Sequence, residues 1–368
     1  MSLILSKASL YRSLDIVEKA LPKESPIQAL ENVLLESDSN QLTLSTTNLE
    51  LQVKVSLPYE GDEPVSVLIP AKITDIIRFL PAPEVKLDLN PDNLQIAISS
   101  GRAKYNLFGA ASSDFPRIEE ASPSHGESMT ISSSELKDIL RTVVFAASTE
   151  ETRPAFNGVL FEFDAHRWSL ISSDTYRLVF KSIFNEAWRF QNNRCLVPAK
   201  ALRELLKILD QEEEEVTLFP SKDQLIFKFA SVYYAARLLN EKYPDISSVI
   251  PERHSTRIMV NRKEIKETIS RAALLAEGLN NAICLSVSDG SLTVRVSSQI
   301  GRMEETVAIE HEGEEIDLYI NSRFIMDILK ATTTEAVVVD FHGKTGPVIF
   351  RLPDDEHYLY LVLPIKMD

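Results

Sequence analysis

Cysteine is nearly missing from this chain of 368 residues, which has only Cys195 and Cys284. Two thiols make no disulfide framework, and without a CxxC pair they give no zinc-ligand spacing. A reducing compartment, most simply the cytoplasm, is therefore expected. Glycine is scarce too, at 11 residues, about half its usual ~7% share. Loops that cradle phosphate spend glycine freely, so the shortage speaks against an enzyme built on them. No apolar run approaches the ~18–20 residues of a bilayer crossing, so no membrane is expected as a partner. The first seven residues lack the basic, apolar and small-residue sequence of a signal peptide. Cations are also in deficit, with 39 Lys and Arg against 54 Asp and Glu and a net charge of −15. Such a chain repels nucleic acid on average, which speaks against a protein that wraps DNA or reads its grooves.

What is present is globular composition, 44% hydrophobic and 25% charged, in a length that calls for two or three domains. The chain also repeats itself. Leu10, Leu14 and Val17 have the spacing of one helix face, as do Leu136, Leu140 and Val143, and again Ile265, Ile269 and Ala272. Ser132 with Glu135 and Asn261 with Glu264 supply capping-box starts for the second and third copies. A second helix follows in each third. Residues 67–72 (VLIPAK), 195–200 (CLVPAK) and 318–323 (LYINSR) lead into DIIR, ELLK and DILK.

Elsewhere the period falls to two, as in half-buried strands: Leu49, Leu51, Val53, Val55 and Leu57, then Val159, Phe161 and Phe163, then Val294 and Val296. Asn32, Asn157 and Asn281 each open the strand after the first helix. The fold class is α+β: three tandem copies of a domain with two helices and roughly eight strands, over residues 1–125, 126–253 and 254–368. The six helical segments, 6–20, 71–80, 132–148, 199–209, 261–276 and 321–331, hold 16 Lys and Arg against 9 Asp and Glu, a net of +7. The remainder holds 23 against 45, a net of −22. Arg78, Lys207 and Lys330 lie in last helical turns, where a cation complements the helix dipole in any protein. The segregation as a whole fits an acidic body with a basic helical lining.

Residues 152–158 (TRPAFNG), 173–178 (SDTYRL), 243–249 (YPDISSV) and 361–366 (LVLPIK), in this order on a threefold repeat, resemble the bacterial DNA sliding clamps, the beta subunits of DNA polymerase III. The resemblance spans the chain. It implies a head-to-tail homodimer closing a six-domain ring around duplex DNA, a processivity factor with no catalytic residues, cofactor or metal. It also implies a pocket for short peptides of the clamp loader, the replicative polymerase, translesion polymerases, ligase and mismatch-repair proteins.

By this resemblance the pocket consists of Phe156, Ser173, Thr175, Tyr176, Arg177, Leu178, Pro244, Ser248, Val249, Leu361, Leu363, Pro364, Ile365 and Lys366. Arg177 and the hydroxyls of Ser173 and Tyr176 are expected to orient the peptide. The cations placed on the lining are Lys23, Lys72, Arg153, Lys200, Arg203, Lys207, Arg262, Lys266 and Arg323, and the dimer contact is placed at Leu107, Leu274 and Leu275. The sequence departs from the family's pattern at Phe156, where Leu is usual, and at the acids Glu24, Glu150 and Glu151.

Other motifs read as structure. Residues 343–346 (GKTG) match the end of a phosphate-binding loop, but that motif needs a Gly at 338, which is Val, so a hairpin turn is expected. The acidic run 212–215 reads as a solvated loop, and the six histidines show no metal-ligand spacing. The competing reading is a soluble enzyme with an active site between repeats. Such an enzyme would concentrate chemistry in one copy, whereas these copies share helix and core positions.

Overall fold

Alternation of apolar and polar residues makes nearly half of the described residues antiparallel strand, and the amphipathic stretches make helices. The computed structural model describes residues 2–366 other than 39, 60–63, 91, 92, 118, 124–127, 151, 187, 189, 210–213 and 279, and other than the side chains of 190–192 and 247. The expected boundary at 125/126, Glu151, and Glu212 and Glu213 of the acidic run lie outside the described residues. Contacts group the chain into two compact units, Met1–Leu136 with Arg203–Leu238, and Lys137–Leu202 with Leu239–Asp368.

The first unit holds a nine-stranded sheet, in the order Met129–Ser132, Glu215–Ser221, Gln224–Phe229, Val232–Arg237, Leu51–Pro58, Gln41–Thr47, Asn32–Ser37, Val65–Pro70 and Ala110–Ala111. A four-stranded sheet, Ser2–Ser6, Glu84–Asn90, Gln95–Ser100 and Ala103–Phe108, accompanies it. The second unit repeats the plan. Its nine strands run Phe190–Pro198, Gly158–Ala165, Arg167–Ser173, Arg177–Phe184, Asp355–Val362, Val348–Leu352, Ala336–Phe341, Thr256–Asn261 and Glu310–Gly313. Its four run Gly301–Ala308, Ser291–Ser298, Ala282–Ser288 and Ile316–Asn321.

Six helices are described: α1 (Lys7–Val17), α2 (Ile73–Phe79), α3 (Ser133–Val143), α4 (Ala199–Ile208), α5 (Arg262–Ala276) and α6 (Ser322–Ala331). The three predicted faces, from Leu10 to Val17, Leu136 to Val143 and Ile265 to Ala272, are all buried. The Ser132 hydroxyl accepts the Glu135 N–H at 3.2 Å, and the Asn261 side chain accepts those of Lys263 and Glu264. Each such cap satisfies a donor that the first turn leaves unpaired, a contribution of about 1 kcal/mol. The threefold repeat appears as one repeated pairing: Asn32 opposite Pro70, Gly158 opposite Pro198, and Ala282 opposite Asn321, directly ahead of α4 and α6 and one short turn ahead of α2.

The helices run shorter than expected at three ends. After α1 the chain tightens into a 3₁₀ turn (Glu18–Ala20) and leaves extended at Leu21. Leu80 ends α2 in the same way. Prolines 22 and 81 follow directly, and a residue before proline is pushed out of helical backbone. Beyond α3 a 3₁₀ turn covers Val144–Ala146. Leu49 was expected in a strand but lies outside it, at φ +73°, because the Asn48 side chain accepts the N–H groups of Glu50 and Leu51 and makes a turn there. Residues 343–346 form the expected hairpin link between Ala336–Phe341 and Val348–Leu352. Gly343 takes φ +77°, and a Cβ at Gly346 would collide with the His342 carbonyl.

Candidate binding site

In the second unit's nine-stranded sheet, one rung runs Leu178, Leu361, Ile349, Asp340 and Arg257 across five strands. Successive residues of a strand face opposite ways. Val179, Tyr358 and Tyr360 therefore face the helices, where Tyr358 donates to the Thr142 carbonyl in α3 and Tyr360 to that of Phe324 in α6. The opposite face carries two apolar clusters. Leu160, Ile171, Leu196 and Tyr243 form one; Leu178, Ile349, Leu359 and Leu361 form the other. Phe180 and Ile246 pack against both and join them, while Phe156 meets Tyr243 edge-on, with ring centroids 5.6 Å apart. Burial pushes the Tyr243 hydroxyl above the ordinary phenol range, and Asp174 adds to the shift.

The wall of this face is a five-residue turn, 173–177. Thr175 sits at φ +79°, a strained backbone for a β-branched residue. Side chains hold it there. The Ser173 hydroxyl accepts from Thr175 N–H at 3.0 Å and donates to the Arg177 carbonyl at 2.7 Å. Asp174 accepts the N–H groups of Tyr176 and Arg177, each at 3.0 Å.

Arg177 ties the turn to the body. Its guanidinium donates to Asp174 at 2.8 Å, to the Phe145 carbonyl at 2.9 Å and to Asp327 of α6, and it lies 4.6 Å over the Phe324 ring. Burial disfavours its charge, but Tyr360, Asp327 and Asp174 outweigh that and hold its pKa above the ordinary arginine range. The C-terminal segment then crosses the mouth. Leu363 N–H donates to the Tyr176 carbonyl at 2.9 Å and Ile365 N–H to that of Tyr319 at 2.7 Å.

The result is a hydrogen-bonded frame around exposed apolar surface. Tyr176 is 63% exposed, Val249 51% and Leu363 44%, beside the buried Leu178 and Leu361. Exposed apolar groups grouped beside a buried floor are the anatomy of an interaction site. Pro364 and Ile365 are half-buried, Lys366, Pro244 and Ser248 are exposed, and the segment from Tyr243 to Val249 lies along the apolar face through Tyr243 and Ile246. The hydroxyl of Ser173 is engaged within the turn, and the guanidinium of Arg177 is engaged by Asp174, Asp327 and the Phe145 carbonyl. Sequence reasoning missed Phe180, Ile246, Asp327 and Phe324. The alternation Leu178/Phe180 could have revealed the first; no local signal links Arg177 to Asp327, which lies 150 residues away.

The nine cations expected on a lining take different environments. Lys72 pairs with Asp75, and Lys207 with Glu204, one turn away on their own helices. Arg262 is half-buried and donates to the carbonyls of Thr334 and Leu329, capping the end of α6. Arg203 is half-buried in α4. Among the described residues no acid pairs with Lys23, Arg153, Lys200, Lys266 or Arg323, all but Lys266 exposed. Leu107 lies half-buried on an edge strand, Leu274 is 74% exposed, and Leu275 is half-buried. Among the described residues no group of acids, histidines or cysteines could hold a metal ion, and no helix is long and apolar enough to cross a membrane. Burial pushes the Cys195 thiol up to about 12.

Three family models match in sequence. The N-terminal domain of the DNA polymerase III beta subunit matches residues 1–119, the central domain 130–245 and the C-terminal domain 247–366. The beta sliding clamp of Staphylococcus epidermidis is 32% identical over 362 residues, covering 95% of this chain and 94% of its own. That of Bacillus subtilis is 30% identical over the full length of both. The crystal structure of the Bacillus subtilis sliding clamp superposes over the whole of both chains with a TM-score of 0.93 at 29% identity. That of a putative DNA polymerase III beta subunit from Eubacterium rectale does so with 0.93 at 26%.

Proposed function

Since this chain belongs to the DNA polymerase III beta subunit family of sliding clamps, we propose that two copies close head-to-tail into a ring that slides on duplex DNA and tethers partner proteins by the pocket at Leu178, Leu361 and Leu363. As a member of that family the chain is an accessory processivity subunit and not a catalytic enzyme. Residues 1–125, 126–253 and 254–368 are its three domains. The partners are the clamp loader, the replicative polymerase, and repair and translesion proteins bearing short peptides, all in the cytoplasm.

The observation that carries the tethering role is the frame around Arg177: a turn held by its own side-chain hydrogen bonds presents apolar groups to solvent in a fixed arrangement. Preorganised surface of this kind loses little entropy when a peptide docks. For closure, each unit has an unpaired edge on its four-stranded sheet, Ala103–Phe108 in one and Gly301–Ala308 in the other. Free edges pair with other chains. Phe108 on the first edge is 73% exposed. The surplus of Lys and Arg on the helices gives a weak, sequence-independent attraction to phosphates, suited to sliding.

The test is topological. Loaded onto closed circular DNA, the protein should stay bound, and it should run off when the circle is cut; equal retention on cut and closed DNA would refute the ring. Replacing Leu274 and Leu275 together by Ala should leave folded monomers in sedimentation at nanomolar concentration.

A further inference from the structure

The four-stranded sheet of the second unit has a face outside the site described above. A cleft of about 960 Å³ opens on it. One rung crosses the cleft: Ile365 bridges to Tyr319, Tyr319 lies opposite Cys284, Cys284 opposite Arg295, and Arg295 opposite Glu304. Alternation buries Leu318, Ile283, Leu285 and Val294 on the other side and leaves this rung facing out. Arg295 is half engaged, donating to Glu304 at 2.9 Å and to the Ser286 hydroxyl at 3.0 Å. Arg302 and Lys366, also on the cleft wall, are exposed, and among the described residues neither pairs with an acid. Three cations therefore face one carboxylate in a chain whose net charge is −15.

The cleft is continuous with the peptide pocket through one short segment. Leu361 and Leu363 border the pocket; Ile365 and Lys366, immediately after, border the cleft. We infer that the cleft receives an acidic stretch of the partner peptide, on the amino side of its apolar anchors, with Lys366 at its entrance and Arg302 as the cation that recognises the acids. This inference rests on the pocket reading above. By the resemblance the partner peptide carries a Gln, a Leu and a terminal aromatic or aliphatic pair, and a peptide whose apolar pair closes its carboxyl end can continue only from its amino side. From Ile365 to Arg295 is three strand spacings, ~14 Å, and to the strand bearing Arg302 four, ~19 Å. An extended flank at ~3.3 Å per residue places the acids roughly four to six residues ahead of the anchors.

The experiment titrates the full-length protein with two fluorescent peptides sharing one anchor (Gln, Leu and a terminal Leu-Phe), one with glutamates at those upstream positions and one with glutamines. The glutamate peptide should bind about three- to fivefold tighter at low salt, as exposed charge contacts allow, and lose that advantage at ~0.5 M salt. Arg302→Gln should remove most of the advantage while leaving the glutamine peptide's affinity unchanged, and Arg302→Lys should retain it. Equal affinity of the two peptides for the unaltered protein, or an advantage that survives Arg302→Gln, overturns the inference and leaves the pocket reading standing. A short duplex DNA that abolishes the glutamate advantage would assign the cleft to phosphates and overturn it as well. If the glutamine peptide binds Leu363→Ala as well as it binds the unaltered protein, the pocket reading fails and this inference falls with it.

Discussion

The strand pair Leu51–Pro58 with Val232–Arg237 and the pair Arg177–Phe184 with Asp355–Val362 occupy the same place in their two nine-stranded sheets. Both put a valine opposite a buried tyrosine, Val53 with Tyr234 and Val179 with Tyr360. The neighbouring positions diverge. Where the second unit has Leu178 opposite Leu361 and Phe180 opposite Leu359, the first has Gln52 opposite Ala235 and Lys54 opposite Tyr233. There the segment after Phe115 closes the surface by charge. Glu120 lies 3.0 Å from Lys54 and 3.6 Å from Lys228, and Ala121 N–H donates to the Tyr233 hydroxyl at 3.1 Å. One backbone junction thus yields an ion-paired polar surface in one unit and open apolar surface in the other. On the pocket proposed above, peptide docking would follow the side chains at four positions, not the junction.

The comparison can be broken most strongly at Asp340, on the pocket's own rung. Its side chain is 2% exposed and bonded to Arg257 at 2.6 and 2.9 Å and to Arg351 at 2.9 Å. Burial alone would raise its pKa, but the two arginines hold it below the ordinary carboxylate value. Asp340→Asn leaves Arg257 and Arg351, 41% and 31% exposed, without their anion and should cost about 2 kcal/mol in urea unfolding. The folded pKa lies below the unfolded one, so this contribution is complete above the unfolded value, near ~4, and is lost as pH falls through the folded value. The stability gap between unaltered and Asp340→Asn protein should therefore close on acidification below about pH 4.

Removing Leu363 to Asp368 tests the apolar side of the contrast. It deletes anchors of the kind worth on the order of 2 kcal/mol, so peptide affinity should fall at least about tenfold while the dimer persists in sedimentation. Unchanged peptide affinity in a direct titration would remove the pocket. The smallest effect belongs to the polar junction. Glu120→Gln should cost less than about 1 kcal/mol, since its partners are part-exposed and regain water.

Much of the helix layout was legible because period and capping are local properties of the chain. Leu10, Leu14 and Val17 declare a face by themselves, and the hairpin at 343–346 follows from its flanking strands. The site was legible only in outline. Its segments could be named from the resemblance, but the engagement of Arg177 with Asp327 depends on strand pairing between residues far apart. Leu178 meets Leu361 across 183 positions, and no window of sequence contains both. Leu49 misled for the opposite reason: its alternation was right, but the Asn48 side chain made a turn there.

That long pairing has a consequence for synthesis. Strand Arg177–Phe184 leaves the ribosome with an apolar edge whose mate, Asp355–Val362, is made some 180 residues later. At ~5–20 residues per second the edge waits roughly 10–40 s. The junction Leu51–Pro58 waits as long for Val232–Arg237. A nascent chain therefore carries an unmated sheet edge through most of its translation, open to capture by a neighbouring copy on the same message. Residues 137–202 and 203–238 mature into different units, so the middle of the chain cannot be completed before the end of the chain emerges.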